Sequence, residues 1–571
     1  VTAAYETITT NSQGSVNYEQ ETIEQLPVNR DIQTIALLAP GVMDNASEPN
    51  GRAVNIAGGT GPQSLMTVNG VVVSDTIWGN AFDMYVEEAV EETTVMVSGV
   101  SAEYGRFSGG VINMVTKSGG NQFSGSYRLR MTNESWNGET PLTTDQEDKI
   151  NQRHEATFGG YVLKDHLCFF LAGRDTSTSR QDQTYNNVAF PYGQDTYRYE
   201  GKLTIAPHIN HRFLASYMTT ESVESNYSRL PVTEERVLID RENPGDLLAL
   251  NYTGVFSDKF FLEAQWAERN YEFVGGGSDF TTDLAAGTPI IHWRGSFPMG
   301  NSHIFCNGCP GGNDQRNNEN FLVKGSIFVS SGKAGSHDIV VGYDRYNDVF
   351  IDNNWQSPTN YRFDIFDDPY YGDDGVYYPA FGANGGRMIY FPILEISAGT
   401  DFTVDSIYAN DTWRLNKNWT FNIGLRYDKN DAQDGSGNTV GDDARISPRL
   451  GVTWDVKGDG GWIVNASFGQ YVAMLDAGKG GSAGGGEAST LAWGYTGPNI
   501  NVDENGDFVP MYNSTEAMQI VHDWFASIGG LQNTDYLFAP SLAGYNLAVP
   551  PLSSPYTQEF SIGFLKRLGT K

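Results

Sequence analysis

No long apolar segment occurs in this sequence. Its mean hydropathy is −0.39, and none of its apolar runs reaches about 18 residues. Because a membrane-spanning α-helix needs about 20 mostly apolar residues, this absence excludes a helical membrane protein. It does not exclude a membrane β-barrel, whose alternating strands give a weak hydropathy signal.

Basic residues are scarce. The chain has 37 lysines and arginines against 69 aspartates and glutamates, so its formal net charge is −32 at pH 7. A surface of this charge repels a phosphate backbone, and nucleic acid is therefore excluded as a partner. The acidity has two interpretations, either solubility in a salty medium or acidic outer loops that bind divalent cations.

Cysteine is rare, with three residues in the chain. Cys168 lies in an apolar run and is predicted to be an ordinary strand residue. Cys306 and Cys309 form the motif CNGC in a loop rich in glycine and asparagine. A zinc site would need four ligands and only His303 is near, while a redox motif would need a βαβ context that is absent. We therefore predict a disulfide between Cys306 and Cys309 in an oxidising compartment, and no metal site.

Catalytic and cofactor motifs are lacking as well. The eight histidines are scattered and form no nucleophile–base–acid arrangement, so no catalytic residue, cofactor or enzyme activity is predicted. The segment Asn501–Gly506 overlaps a calcium-loop pattern, but Tyr512 stands where the bidentate glutamate would be, and a turn is predicted. The glycine-rich run Gly478–Gly486 lacks a strand-to-helix context for phosphate binding and is predicted to be a flexible loop.

Many segments of the sequence alternate between apolar and polar residues. In Asn418–Asp428 every second residue, from Trp419 to Tyr427, is apolar, and the residues between them are polar or glycine. A period of two places these sets on opposite faces of a sheet. About fourteen such segments are predicted as strands, most of them about ten or more residues long, which suits tilted bilayer crossings. They lie near 123–131, 153–163, 166–176, 196–206, 210–222, 245–257, 259–273, 319–330, 335–350, 402–414, 418–430, 445–457, 461–473 and 555–567.

The connections between these segments alternate between short and long. The short ones are 164–165, 207–210, 257–258, 331–334, 416–417 and 458–460. The long ones are 132–152, 177–195, 223–244, 274–318, 351–401, 431–444 and 474–554. This asymmetry is typical of outer-membrane barrels, which have tight periplasmic turns and long extracellular loops.

The first part of the chain has a different pattern. Asp31 is a predicted N-cap of a helix that stops before Pro40-Gly41, and Asn69-Gly70 between apolar runs predicts a hairpin. These signals predict a compact α/β unit over residues 17–121. A flexible lead over residues 1–16 precedes it, and a β-barrel over residues 122–571 follows it.

The end of the α/β unit, Ser101–Asn121, reads SAEYGRFSGGVINMVTKSGGN. It resembles the end of the plug domain in TonB-dependent outer-membrane receptors of the Oar-like type. The matching residues are Glu103, Tyr104, Gly105, Arg106, Gly109, Gly110, Asn113 and Lys117. Glu21–Val42, Ser406–Asp428 and Ile446–Tyr471 resemble the same family. The resemblance implies a mainly β fold, a transmembrane antiparallel β-barrel with a small α/β plug in its lumen.

The resemblance also implies a function and partners. The family binds a ligand outside a Gram-negative cell and imports it by energised plug movement, with TonB and its inner-membrane complex as partners. TonB grips a short segment just ahead of the plug, so residues 1–16 would follow that segment. Outer-membrane lipid and lipopolysaccharide would surround the barrel, and divalent cations would link lipopolysaccharide to acidic outer loops. The alternative within this family is a surface scaffold, or a barrel associated with secretion or adhesion, with a surface lipoprotein as a further partner.

Two plug loops are candidates for the outward apex that meets the ligand, Gly58–Gly61 and Asp75–Tyr85. The second loop offers side chains for stacking and hydrogen bonding, and we expect them to bind ligand. They are Trp78, Asn80, Phe82 and Asp83. The alternative is that these side chains only pack against the barrel wall.

The number of strands predicts that the chain is not the whole protein. Barrel diameter grows with strand number, and barrels of roughly 22 strands are the ones that hold a plug. Fourteen predicted strands would leave too little lumen, so we expect about eight further strands. The edges near Phe123–Met131 and Pro555–Arg567 would otherwise lie open in the bilayer.

Overall fold

The computed structural model describes most of the chain. The described residues are 13–25, 31–44, 54–75, 77, 79–138, 146, 148–293, 297–330, 332–368, 370–372, 375–475, 484–538 and 551–567. Three sequence predictions fall wholly or mostly outside them, namely those for the lead up to residue 12, for Trp78 and for the glycine run Gly478–Gly486.

The N-terminal unit, which we call the plug, is an α/β domain. Its strands are β1 (Gly14–Glu19), β2 (Val42–Asp44), β3 (Val54–Ile56), β4 (Leu65–Val68), β5 (Val71–Val72), β6 (Val90–Ser98) and β7 (Val111–Thr116), and its helices are α1 (Gln20–Gln25) and α2 (Ile32–Ala36). Five strands form one sheet in the order β1-β6-β7-β4-β5. Residues 14–16 therefore belong to a strand, although the sequence predicted a flexible lead there. Val16 and Tyr18 pack against the plug core and explain the difference.

The predicted helix N-cap and the predicted hairpin of the plug are confirmed. Asp31 caps α2, because its carboxylate accepts a hydrogen bond from the Thr34 backbone N–H at 2.8 Å. Asn69 and Gly70 both have positive φ, 52° and 81°, and join the antiparallel strands β4 and β5. This left-handed backbone explains why asparagine and glycine stand at the turn.

The rest of the chain is dominated by one large sheet. Its first part contains β8 (Ser124–Thr132), β9 (Asn151–Leu163), β10 (Leu167–Gln183), β11 (Ala189–His208), β12 (His211–Tyr227), β13 (Ile239–Glu242), β14 (Gly245–Ser257) and β15 (Phe260–Phe273). The remaining strands of the chain are β16 (Ser278–Asp279), β17 (Ile290–His292), β18 (Met299–Gly300), β19 (Cys306–Asn307), β20 (Asp314–Ser330), β21 (Ser336–Ile351), β22 (Tyr361–Ile365), β23 (Tyr370–Tyr371), β24 (Tyr377–Tyr378), β25 (Gly386–Tyr390), β26 (Asp401–Arg414), β27 (Trp419–Gln433), β28 (Thr439–Asp455), β29 (Trp462–Val472), β30 (Leu491–Gly494) and β31 (Tyr556–Lys566).

The large sheet confirms the predicted strands. Its main path runs β31-β29-β28-β27-β26-β21-β20-β15-β14-β12-β11-β10-β9-β8, and each predicted segment overlaps one of these strands. All pairings along the path are antiparallel, as expected for a meander. Within the described residues, β8 and β31 end the path and do not pair with each other.

The two faces of the sheet differ in the way that the alternation predicts. On β27, Leu425 is 52% exposed on the outer face, whereas the neighbouring Arg426 is fully buried on the inner face. The plug occupies the inner side. At the short-turn end, Trp419 stacks on Trp454 with ring centroids 5.4 Å apart, which fits an aromatic girdle at a membrane interface.

The long connections fold into a further layer, which we call the cap. It contains the sheet β18-β17-β22-β25-β30 and the helices α3 (Leu284–Gly287) and α4 (Ser514–Ser527). Its core includes Phe363, Trp493 and Val521. The sequence predicted only long loops here, because the cap strands have two to five residues each and come from separate loops. Among the described helices, none combines the length and the hydropathy needed to cross a membrane.

Two buried histidines of the cap are held neutral. The His292 ring bonds to the Asp367 carbonyl oxygen at 3.1 Å and to the Tyr377 hydroxyl. The His522 ring bonds to the Thr288 hydroxyl at 3.0 Å. Burial lowers the pKa of both histidines to about 4.

We predict that the cap loses stability as the pH falls from 6.5 towards 4. In this window the unfolded chain binds protons at His292 and His522 while the folded cap does not, so unfolding becomes easier by about 2 kcal/mol per histidine at pH 5. Calorimetric melting of the purified protein at pH 7.5 and pH 5 measures this loss. The double variant H292Q/H522Q should show a smaller pH dependence. Equal pH dependence in the two proteins would contradict the prediction.

Candidate ligand chamber and plug seat

A large chamber lies between the plug, the sheet and the long loops. Its volume is about 1400 Å³. The plug contributes Asn80, Phe82, Asp83 and Glu87, the barrel wall contributes side chains of the strands β9 to β12, and the loop 303–309 closes one side. The plug is therefore the floor of the chamber.

The chamber differs in charge from the rest of the chain. Its lining contains eight arginines and eight aspartates or glutamates, so it is balanced in a protein whose net charge is −32. Most of these arginines are engaged by carboxylates. Arg316, for example, bonds to Asp314 at 2.6 Å and to the plug residue Asp75 at 3.1 Å.

The predicted apex residues have mixed environments. Asn80, Phe82 and Asp83 line the chamber, whereas Trp78 lies outside the described residues. Phe82 is stacked on Tyr271 of the barrel wall with ring centroids 4.0 Å apart. Asp83 lies 3.4 Å from Arg198. These contacts show Phe82 and Asp83 packed against the barrel wall, which was the alternative considered in the sequence analysis. A ligand-binding role for the four residues stays a prediction.

Glu87 is a chamber residue that the sequence did not single out. Three barrel arginines meet its Oε1 atom, Arg153 at 3.0 Å, Arg198 at 3.4 Å and Arg174. Glu87 begins the 3-10 turn Glu87–Ala89, which leads directly into β6. The pair Glu87-Glu88 is visible in the sequence, but its arginine partners come from three later strands, so no local pattern reveals the cluster.

The motif segment Ser101–Arg106 fits against the opposite barrel wall, and we call this contact the plug seat. Arg449 donates to the carbonyl oxygens of Ser101 at 2.7 Å and of Tyr104 at 3.0 Å. Arg426 donates to the Ala102 carbonyl oxygen at 3.2 Å. Two buried barrel arginines thus bind the plug backbone rather than its side chains.

The side chains of the motif complete the seat. Arg106, at φ 65°, pairs with Asp344 of β21, and Asp344 also lies 3.1 Å from Arg426. Glu103 lies 3.1 Å from Lys324. Gly105 packs so closely on Arg426 that a Cβ atom there would overlap the guanidinium group. Tyr104, the last motif residue of the seat, is partly buried and packs against the apolar cluster that contains Phe107.

The other motif residues organise the plug itself. A Cβ atom on Gly109 or Gly110 would press against Ile56. Asn113 accepts a hydrogen bond from the Thr67 hydroxyl at 2.8 Å, and Lys117 donates to the Glu88 carbonyl oxygen at 2.8 Å. The motif therefore joins the seat to the plug core.

Family comparisons agree with this architecture. Residues 8–112 match the model described as TonB-dependent Receptor Plug Domain, and residues 220–515 match the model TonB dependent receptor-like, beta-barrel. The chain belongs to the TonB-dependent receptor family. It is 28% identical over 308 residues to the TonB-dependent transporter Oar of Myxococcus xanthus, a match that covers 43% of this chain and 28% of that relative.

Solved structures of TonB-dependent receptors share the fold. The outer membrane transporter YddB from Escherichia coli aligns with a TM-score of 0.62 at 15% identity, over 98% of this chain and 67% of that one. The siderophore receptor PirA from Acinetobacter baumannii aligns with a TM-score of 0.56 at 16% identity, over 81% of this chain and 61% of that one. At these identities the likeness shows the fold alone.

Family membership confirms the predicted resemblance, fold class and location. TonB-dependent receptors are outer-membrane proteins, so the barrel lies in the outer membrane and its long loops are extracellular. The chamber therefore lies towards the extracellular loops, and the plug lies between the chamber and the periplasm.

We predict that Gly105→Ala loosens the plug seat. The Arg426 guanidinium cannot move away from the new methyl group without weakening its bonds to Asp344 and Asp428. The free energy of unfolding of the variant should therefore fall by about 1–3 kcal/mol. Thermal melting and trypsin cleavage of the plug in detergent measure the loss. Gly120→Ala is the matched control, since a Cβ atom there meets nothing within 4 Å. Equal effects of the two substitutions would refute the role of Gly105.

We also predict that Cys306 and Cys309 are oxidised to each other in the exported protein. The structure joins them by a disulfide, with Cα atoms 5.8 Å apart, while Cys168 is free. Thiol labelling under denaturing, non-reducing conditions should modify Cys168 and neither loop cysteine. Quantitative labelling of Cys306 and Cys309 would show that the disulfide does not form.

Proposed function

We propose that this protein binds a ligand in the chamber and imports it by TonB-energised movement of the plug. The proposal retains the predicted division into a lead (1–16), a plug (17–121) and a barrel (122–571), except that the plug sheet begins at Gly14. The observation that carries it is that the chamber floor consists of plug residues, among them Asn80 and Glu87. A solute in the chamber can pass through the lumen only if the plug moves or partly unfolds.

Strand β6 is the element through which such movement would be transmitted. Its first residue follows the Glu87–Ala89 turn at the chamber floor, and its last residue leads into the plug seat at Ser101. Along its length it pairs with β1, from Gly14↔Ser98 to Glu19↔Glu92. A pull on the chain ahead of β1 therefore acts first on the strand that joins the floor to the seat.

Strand β1 is also placed where it can detach from the plug sheet. It lies at the edge of the plug sheet and, among the described strands, pairs only with β6. Its side chains alternate between exposed and half-buried, and its described apolar contacts with the plug core are those of Val16 and Tyr18. Low local stability at such an edge is what a force-sensitive plug requires.

The cap favours a second candidate function, that of a surface scaffold or a secretion-associated barrel. It is a folded extracellular layer with apolar side chains at its surface, including Trp293 and Met511, which are 47% and 63% exposed. A surface lipoprotein would be a partner for this layer. Import remains the preferred function, because a scaffold has no use for a chamber floored by a movable plug.

The test is recovery and uptake of the natural ligand. Protein purified from outer membranes should release a bound solute or peptide that mass spectrometry identifies, and cells should take up the labelled compound only when TonB is present. Trp78→Ala and Asp83→Ala should each lower this uptake without lowering barrel abundance. Uptake that is independent of TonB would overturn the import function. Unchanged uptake in both variants would remove Trp78 and Asp83 from the site.

A further inference from the structure

Lysines are concentrated at one end of the barrel. The six short connections between the barrel strands contain three lysines, whereas the seven long connections, which are together far longer, contain two. Three more lysines lie at the short-turn end, Lys259 just before β15, Lys457 just after β28, and Lys566 at the end of β31. Since the long loops are extracellular, these lysines lie at the periplasmic rim of the barrel.

Lys417 and Lys457 belong to two turns that touch each other. Lys417 lies in the turn between β26 and β27, Lys457 lies in the turn between β28 and β29, and both side chains are exposed. The side-chain carbons of Lys417 pack on the second turn, because a Cβ atom built on Gly458 would lie 3.0 to 3.1 Å from three of them. The two lysines therefore share one patch of the rim.

Neither lysine makes an ion pair with a described residue. The carboxylates of the second turn are instead bound by its own backbone. Asp455 accepts hydrogen bonds from two backbone N–H groups of the turn at 2.9 Å and 2.7 Å, and Asp459 accepts one at 2.8 Å. By contrast, Lys429 at the extracellular end of β27 pairs with Asp442. The ammonium groups of the rim patch are thus available to an anion from outside the protein.

An aromatic band borders the two lysines on the outer face of the barrel. Trp419 lies on the same face of β27 as the outward Leu425, and Trp454 pairs directly with Trp419 from β28. Neighbouring rings in the band have centroids 5.2–6.1 Å apart, and Lys566 Nζ lies 4.5 Å from the centre of the Trp462 ring. Because tryptophan favours the membrane–water interface, the lysines lie at the level of the lipid headgroups. The band consists of Trp413, Phe421, Trp419, Trp454, Trp462 and Phe564.

We propose that Lys417 and Lys457 bind the headgroup of an anionic phospholipid in the periplasmic leaflet of the outer membrane, with Trp419 and Trp454 beside its glycerol backbone. The ammonium groups complement the phosphate oxygens, and exposed apolar side chains farther along the outer face, such as Leu425, contact the acyl chains. A phospholipid that carries its own ammonium group binds less tightly there, because its headgroup has no net charge.

The position of the patch selects this occupant. Lys417 and Lys457 do not line the chamber, so a solute in the lumen does not meet them. Their end of the barrel is opposite to the extracellular loops, and lipopolysaccharide therefore lies in the other leaflet. The site is built from barrel residues alone and does not depend on import through the plug.

The experiment measures lipid binding by native mass spectrometry of the intact protein, purified from outer membranes and freed of lipid in detergent. Phosphatidylglycerol and phosphatidylcholine with the same acyl chains are titrated, and the lipid-bound fractions give the two dissociation constants. Phosphatidylglycerol should bind about twentyfold more tightly, since each lysine beside an anionic headgroup contributes a factor of about five.

Variants assign this preference to the patch. Lys417→Gln and Lys457→Gln should each weaken phosphatidylglycerol binding about fivefold and leave phosphatidylcholine binding unchanged. K417Q/K457Q should lose the preference, whereas K417R/K457R should keep it because arginine retains the charge. Lys429→Gln is the matched control, since Lys429 lies on the same strand and face as Trp419 but is paired with Asp442 at the extracellular end. It should leave both dissociation constants unchanged.

Equal affinity of the unaltered protein for the two lipids would overturn the proposal, whether or not the variants fold. An equal loss of phosphatidylglycerol binding in Lys429→Gln and Lys417→Gln would overturn it as well. Full phosphatidylglycerol binding by K417Q/K457Q, combined with loss of TonB-dependent uptake in cells, would assign the patch to a periplasmic protein instead. A lysine-dependent lipid preference without any TonB-dependent uptake would leave the lipid site in place and remove only the import function.

Discussion

Two buried arginines of the barrel interior hold the plug in place. Arg426 and Arg449 are 0% and 5% exposed, and both donate to backbone carbonyl oxygens of the seat. A guanidinium group stays charged at this depth, and a buried charge without hydrogen-bond partners is strongly destabilising. Arg449, whose hydrogen bonds among the described residues all go to carbonyl oxygens, therefore needs the plug backbone beside it, and the close approach of Arg426 needs a glycine at position 105. The motif SAEYGR is a consequence of this fit.

The architecture could be predicted because its causes are local in sequence. A strand that separates lipid from lumen must alternate, as Leu425 and Arg426 do on β27, and a tight hairpin at Asn69-Gly70 needs residues that tolerate positive φ. Such constraints act on neighbouring residues, so one sequence displays them. The seat motif was also visible, but only as a resemblance, because the arginines that explain it lie more than 300 residues away.

The cap and the chamber could not be predicted, because their causes are contacts between distant segments. Strand β17 has three residues and pairs in parallel with β22, about seventy residues later. Nothing in either segment alone distinguishes it from a loop. Likewise, Glu87 pairs with arginines from three separate later strands, and no sequence pattern encodes that convergence.

Two of the contacts between plug and barrel, the seat and the Glu87 cluster, differ in chemistry, and β6 connects them. At the seat, guanidinium groups bind backbone carbonyls of residues that do not line the chamber. At the floor, three arginines share one carboxylate oxygen of Glu87, and all four residues line the chamber. Because three arginines share this contact, loss of one of them leaves Glu87 paired with the other two. The seat has to break as a unit, because Arg449 binds several carbonyl oxygens of one short segment. If the plug moves as proposed, this difference puts the contact that can be lost in steps on the chamber side and the Arg449 contact away from the chamber.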